Sequence, residues 1–175
     1  MGLLNISNEI IAEMESESSR EKIFQKHIQS NPSETAKYAY CIASIPTSEL
    51  RKQYLIINGL LTILLVLYAG LTVLTELPIN LNEPTLFLLI KTVLPLIFSY
   101  FVFRFHGGIY RLAGLWCSYD LLESILLNGA ATITDGIRLL ILFSVIVLAF
   151  FIARKVFPHL KLIGPKRDSN GNYLL

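Results

Sequence analysis

From Tyr54 onward the apolar residues of this chain gather into four long runs separated by short polar breaks, whereas residues 1–52 alternate apolar and polar positions. The first run, Tyr54 to about Thr75, is long enough as a helix to cross a hydrocarbon core of about 30 Å at about 1.5 Å per residue. The second, Thr85 to Phe103, carries Lys91 and Pro95 within it. The third covers residues 109–133 and contains Asp120 and Glu123. The fourth, Gly136 to Ala153, is the most hydrophobic and ends at Arg154-Lys155. The pattern predicts an all-α polytopic membrane protein with four transmembrane helices at about 54–75, 85–103, 109–133 and 136–153.

The N-terminal part reads differently. Ile6, Ile10, Ile11, Met14, Ile23 and Phe24 form an incomplete apolar stripe among Glu and Ser, the mark of a marginal helix that needs a partner surface. Asn31-Pro32-Ser33-Glu34 predicts an N-cap with proline at the first helical position. That helix runs through Ala36, Tyr38, Tyr40, Cys41 and Ile42 and stops before Pro46. Thr47 caps the next one, which feeds directly into the first span. Residues 1–50 are therefore expected to be small cytosolic amphipathic helices, 51–156 a four-helix bundle and 157–175 a basic cytosolic tail.

The distribution of charge orients the bundle. Arg51 and Lys52 precede the first run, Arg104 and Arg111 follow the second, and five basic residues follow the fourth. The connector 76–84 has two glutamates and no basic residue. The positive-inside rule places both termini and the turn near 104–111 in the cytoplasm. An even number of crossings is then required, so the third run must cross despite its carboxylates. If that run lay on the surface instead, three spans would remain and the basic tail would be outside.

Composition agrees: 53% of residues are hydrophobic and 16% charged, against about 25% charged in soluble domains. The formal net charge of +2 is not concentrated in any dense basic stretch, so nucleic acid is not an expected partner. Cys41 and Cys117 have no metal or redox spacing and read as small buried apolar residues. The three histidines are scattered, and no GxSxG, P-loop, HExxH or GxGxxG occurs. No metal or cofactor is expected. The N-terminus lacks a signal-peptide pattern, and Ser7 falls one place too late for myristoylation of Gly2. Gly107-Gly108 after Arg104 reads as a tight helix-to-helix turn, with a phosphate or lipid-headgroup contact as the alternative.

The chemistry of interest lies in the third run. A carboxylate at membrane depth is costly and faces protein, water or a counter-charge. Ala113, Cys117, Asp120, Ser124 and Asn128 recur at steps of three and four, a small and polar stripe. Leu112, Leu115, Tyr119, Leu122 and Leu126 cover the other side. Entering near Ile109, Asp120 lies about 16 Å deep and Glu123 about 21 Å deep. Lys91, about 9 Å below the outer end of its helix, reaches the level of Glu123. A Lys91–Glu123 pair is expected, shared with Arg138, while Asp120 has no obvious partner and is expected to be protonated or hydrated. Asn58 at the inner end of the first span could join the network; Thr62 is expected to bond back to its own helix.

Two functions fit. The first is a non-enzymatic integral membrane protein of the bacterial inner membrane, acting through helix–helix and cytosolic protein contacts. An immunity-type factor or a membrane component of a multi-protein system such as defence would fit. Its partners would be the lipid bilayer and either further copies of itself or another protein. The alternative is an oligomeric ion channel whose lumen is lined by the small-polar stripe.

Overall fold

The computed structural model describes residues 10, 11, 13, 14, 19–75, 85–127, 132–162 and 164–174, with backbone alone for residues 75, 85–88 and 127. Among the described residues six bounded α-helices follow one another: α1 (Arg20–Ser30), α2 (Thr35–Ser44), α3 (Ser48–Thr75), α4 (Thr85–Phe103), α5 (Gly107–Leu127) and α6 (Ile133–Val156). No strand occurs among the described residues, and two isolated bridges pin the C-terminal segment, Leu160 to Pro165 and Arg167 to Tyr173. Among the described residues two helices are long and apolar enough to cross a membrane, over Ser48–Leu74 and Ile133–Val156. In α4 the shorter stretch Leu89–Phe103 is apolar, and α5 carries Arg111, Asp120 and Glu123.

Helices α3 to α6 form a ring in chain order, closed by contact between α3 and α6. Their inward residues show why. On α3 these are Asn58, Leu61, Leu65, Tyr68 and Thr72, and on α6 Arg138, Leu142, Val145, Ala149, Ile152 and Val156. On α5 they are Tyr110, Ala113, Cys117, Asp120 and Ser124. Steps alternating between three and four residues keep one seam facing the partner in a gently coiled bundle. Helices α5 and α6 pack tightly at Gly114, where an added Cβ would lie 3.0 Å from the Phe150 ring.

The outward faces are apolar on all four helices. Ile56, Ile63 and Leu67 of α3, Leu89, Val93 and Ile97 of α4, Leu115, Leu122 and Leu126 of α5, and Leu140, Phe143 and Val147 of α6 are all exposed. The polar side chains Asn58, Asp120, Ser124 and Arg138 are buried. Relative to a soluble bundle the polarity is reversed.

A second small core lies N-terminal to the bundle. Ile10, Ile23, Phe24, Tyr38, Ala39, Cys41, Ile42 and Ile45 bury one another. His27 stacks on Tyr38 with centroids 4.8 Å apart, and its Nε2 lies 2.8 Å from Glu13 Oε2. The C-terminal segment closes over this core, with the Tyr173 ring edge-on to Phe24. The tail is thus folded against the N-terminal helices. Burial pushes the Cys41 thiol up to about 11, so it stays protonated and inert. At Asn31 the expected cap is absent: no side-chain bond forms there. Instead Pro32–Glu34 make a turn of 3-10 helix, and the Thr35 hydroxyl donates to Pro32 O at 2.7 Å. Thr47 does sit at the start of α3, where its Oγ1 accepts from Leu50 N at 3.4 Å.

The α4–α5 turn joins the two cores. His106 N–H donates to Phe101 O and Phe105 N–H to Val102 O, the paired bonds of a Schellman ending. Phe105 takes the left-handed position (φ 56°) usually held by glycine, at a cost of about 1–2 kcal/mol. The glycines that follow serve a different need. A Cβ on Gly107 would fall 2.7 Å from the Phe157 ring and 3.0 Å from Ser44 O, and one on Gly108 would meet the Tyr40 hydroxyl. Their bare backbone lets α2 lie against the start of α5.

Candidate functional site

Five residues, two from α5 and one from each other helix of the ring, meet in a charged layer. Tyr68 Oη donates to Asp120 Oδ2 at 2.7 Å. Arg138 Nη2 donates to the same oxygen at 3.1 Å. Lys91 Nζ lies 3.6 Å from the other carboxylate oxygen and donates to Glu123 Oε1 at 2.9 Å. The Arg138 guanidinium also stands 5.9 Å from the centre of the Tyr68 ring. Two carboxylates and two cations give this layer no formal net charge.

The seam spacing explains who meets whom. Asp120 occupies a seam position of α5 and is 1% exposed, whereas the Glu123 side chain, one turn on and beside the seam, is 21% exposed. The expectation that Asp120 would lack a partner is therefore not what the geometry gives: Asp120 is the hub, and Arg138 bonds to it rather than to Glu123. The reason lies in α6. It begins at Ile133, not Gly136, because Thr132 and Asp135 form a reciprocal capping box. Arg138 is then in the second turn of its helix, at the level of Asp120. Asp120 has two donors on one oxygen and a lysine beside the other.

A second polar layer lies ten residues along the parallel helices α3 and α5, about 15 Å away at 1.5 Å per residue. Tyr110 Oη donates to Asn58 Oδ1 at 2.6 Å, and Asn58 Nδ2 donates to Val102 O at 2.9 Å. Asn58 thus pairs with Tyr110 and not with the charged layer. Val102 O is available because α4 ends one residue later. In both layers a tyrosine hydroxyl spans the diagonal between α3 and α5. Leu61, Leu65, Phe98, Ala113, Cys117, Leu142 and Val145 fill the space between.

Cys117 and Ser124 are buried on the α5 seam. Asn128 lies outside the described residues. Thr62 donates to Asn58 O of its own helix at 2.9 Å. Tyr68 and Tyr110 were not singled out by sequence reasoning. The available signal was their position: each is a hydroxyl-bearing residue on the same three-and-four spacing as the buried stripe. Among the described residues no group of three His, Cys, Asp or Glu side chains could hold a metal ion.

No family model, curated protein or solved structure matches this chain. The residues themselves carry the functional argument. Every ionisable group of the layer faces an opposite charge or a hydroxyl, an arrangement that holds helices in register.

Proposed function

We propose that this chain is a four-span integral membrane protein with both termini cytoplasmic. We further propose that it acts without catalysis, through contacts in the bilayer and through its folded cytosolic part. One observation carries the reading: all four helices of the ring turn large apolar side chains outward and polar ones inward. A water-exposed apolar belt of that extent would be an aggregation surface, whereas in lipid it is the stable arrangement. Helices α3 and α6 meet the length and composition needed for a span. Helices α4 and α5 share the same outward belt, and the charge on α5 is neutralised inside the ring. Tyr54, Tyr100, Phe101 and Arg104 gather near the inner end, where aromatic and cationic residues anchor helices at an interface.

A protein–protein role in the inner membrane draws on the small core outside the bundle, in which the N-terminal helices and the C-terminal segment pack together. An immunity factor or the membrane component of a defence system would present such a platform to another protein. The channel reading receives less support, since Ala113, Cys117, Asp120 and Ser124 are consumed within one chain's own packing and leave no polar stripe for a lumen between copies.

Topology is checked by replacing Cys41 and Cys117 with Ala and introducing single cysteines at Ser33, Asn80 and Asn170. An impermeant maleimide applied to intact cells should label position 80 alone, and positions 33 and 170 only after permeabilisation. Labelling of position 170 from outside would refute four spans. In planar bilayers the protein should not conduct; a conductance whose cation selectivity changes in Asp120→Asn would replace this reading with the channel.

A further inference from the structure

A cavity of about 410 Å³ opens where the N-terminal core meets the start of α3. Its floor is apolar, formed by Ile11, Met14, Ile23 and Ile45. Among the described residues its rim carries three cations, Arg20, Arg51 and Lys52, and one carboxylate, Glu49. None of the three cations forms an ion pair among the described residues. Arg51 stands 5.8 Å from the centre of the Phe105 ring. Arg20 spends one nitrogen on Ile45 O at 2.7 Å, while its buried Nε has no hydrogen-bond partner. Burial pulls the Arg20 guanidinium down from its usual value, since a desolvated cation without a counter-charge is disfavoured. The first turn of the 28-residue α3 adds the positive end of the helix dipole. Directly beyond Lys52, an apolar track runs down the same face of α3 through Ile56, Leu60, Ile63 and Leu67, all exposed.

A cationic cup above an apolar track has the shape and chemistry of one molecule, a phosphate head on an acyl chain. We infer that this cavity seats the phosphate headgroup of an anionic phospholipid from the cytoplasmic leaflet, with its acyl chain along the α3 track. The inference rests on α3 crossing the membrane. The Arg20 side chain and the start of α3 belong to different cores, so a bound headgroup would pin the cytosolic helices to the first span.

The test is native mass spectrometry of the full chain released from detergent micelles, with phosphatidylglycerol and phosphatidylcholine of equal acyl composition. One phosphatidylglycerol should bind in preference to phosphatidylcholine. Each cation removed should weaken it about fivefold, so that R20Q/R51Q/K52Q loses about a hundredfold. A control with the same charge change in the tail, K161Q/K166Q/R167Q, should keep wild-type binding. Because Arg20 also bonds Ile45, K52Q alone serves as the variant with unchanged melting, and it should still lose about fivefold. Equal loss in the tail control, or no preference for phosphatidylglycerol, overturns the site. Full competition by inorganic phosphate at the lipid's own concentration overturns the acyl part of the assignment. Flotation of the wild type with phosphatidylcholine vesicles tests membrane insertion separately, so failure of that reading is distinguishable from failure of the site.

Discussion

Replacing Asp120 with Asn isolates the charge of the layer from its shape. The amide keeps an oxygen for the Tyr68 hydroxyl, which now lies at 2.7 Å, so the hydrogen bond survives. What is lost is the counter-charge. Arg138 at 3.1 Å and Lys91 at 3.6 Å from the carboxylate lose that charge, and the layer changes from neutral to +1. Removing one partner of a buried pair costs about 3–5 kcal/mol, because the remaining charge is uncompensated. For a chain of this size, each kcal/mol corresponds to a melting shift of about 2–4 °C. The expected fall is thus roughly 6–20 °C in detergent micelles. Neutralising Arg138 as well, in D120N/R138Q, restores a neutral layer with the Lys91–Glu123 pair intact at 2.9 Å. The double variant should recover about 1–3 kcal/mol relative to the sum of the single changes. Thermal unfolding followed by circular dichroism reads all four states of this cycle. A loss under about 1 kcal/mol in Asp120→Asn, or strict additivity in the double variant, would refute the argument that Asp120 is the electrostatic hub.

Two further outcomes follow from the turn between α4 and α5. Gly107→Ala should destabilise by about 1–3 kcal/mol, because the new Cβ meets the Phe157 ring at 2.7 Å and backbone at 3.0 Å; Gly108→Ala meets only the end of the Tyr40 side chain and should cost less in the same melting assay. His106, half-buried beside Phe101, has its imidazole pulled below its usual value by burial, so the unfolded chain takes up its proton at higher pH than the folded one. Stability should therefore fall as pH drops through about 6.5 and level off below the folded value, and His106→Gln should remove that component of the pH profile.

Much of this molecule was legible from spacing alone. The three-and-four recurrence of Ala113, Cys117, Asp120 and Ser124 marks a buried face, because a helix returns every fourth residue to the same side. Depth was equally accessible, since a constant rise per residue brings Lys91 to the level of Glu123. The end of α2 before Pro46 and the start of α3 after Thr47 could be read from the proline and the threonine. Residues that act through their neighbours were less visible. Tyr68 and Tyr110 look like ordinary aromatic filler until the diagonal of the bundle is known, and Phe105 gives no sign that it takes a glycine's backbone conformation.

The sequence by itself determined which face of α5 turns inward and how far along its helix each charge sits, since both follow from the fixed geometry of a single helix. Only the tertiary structure decided the partners. Whether Arg138 reaches Asp120 or Glu123 depends on where α6 starts and how it is rotated against α5, and the Thr132–Asp135 cap and the packing of Gly114 on Phe150 settle both. The joining of Tyr173 to Phe24 likewise depends on the chain's two ends meeting. No local pattern encodes a contact between residues so far apart, because its energy comes from burial that exists only once both segments are in place.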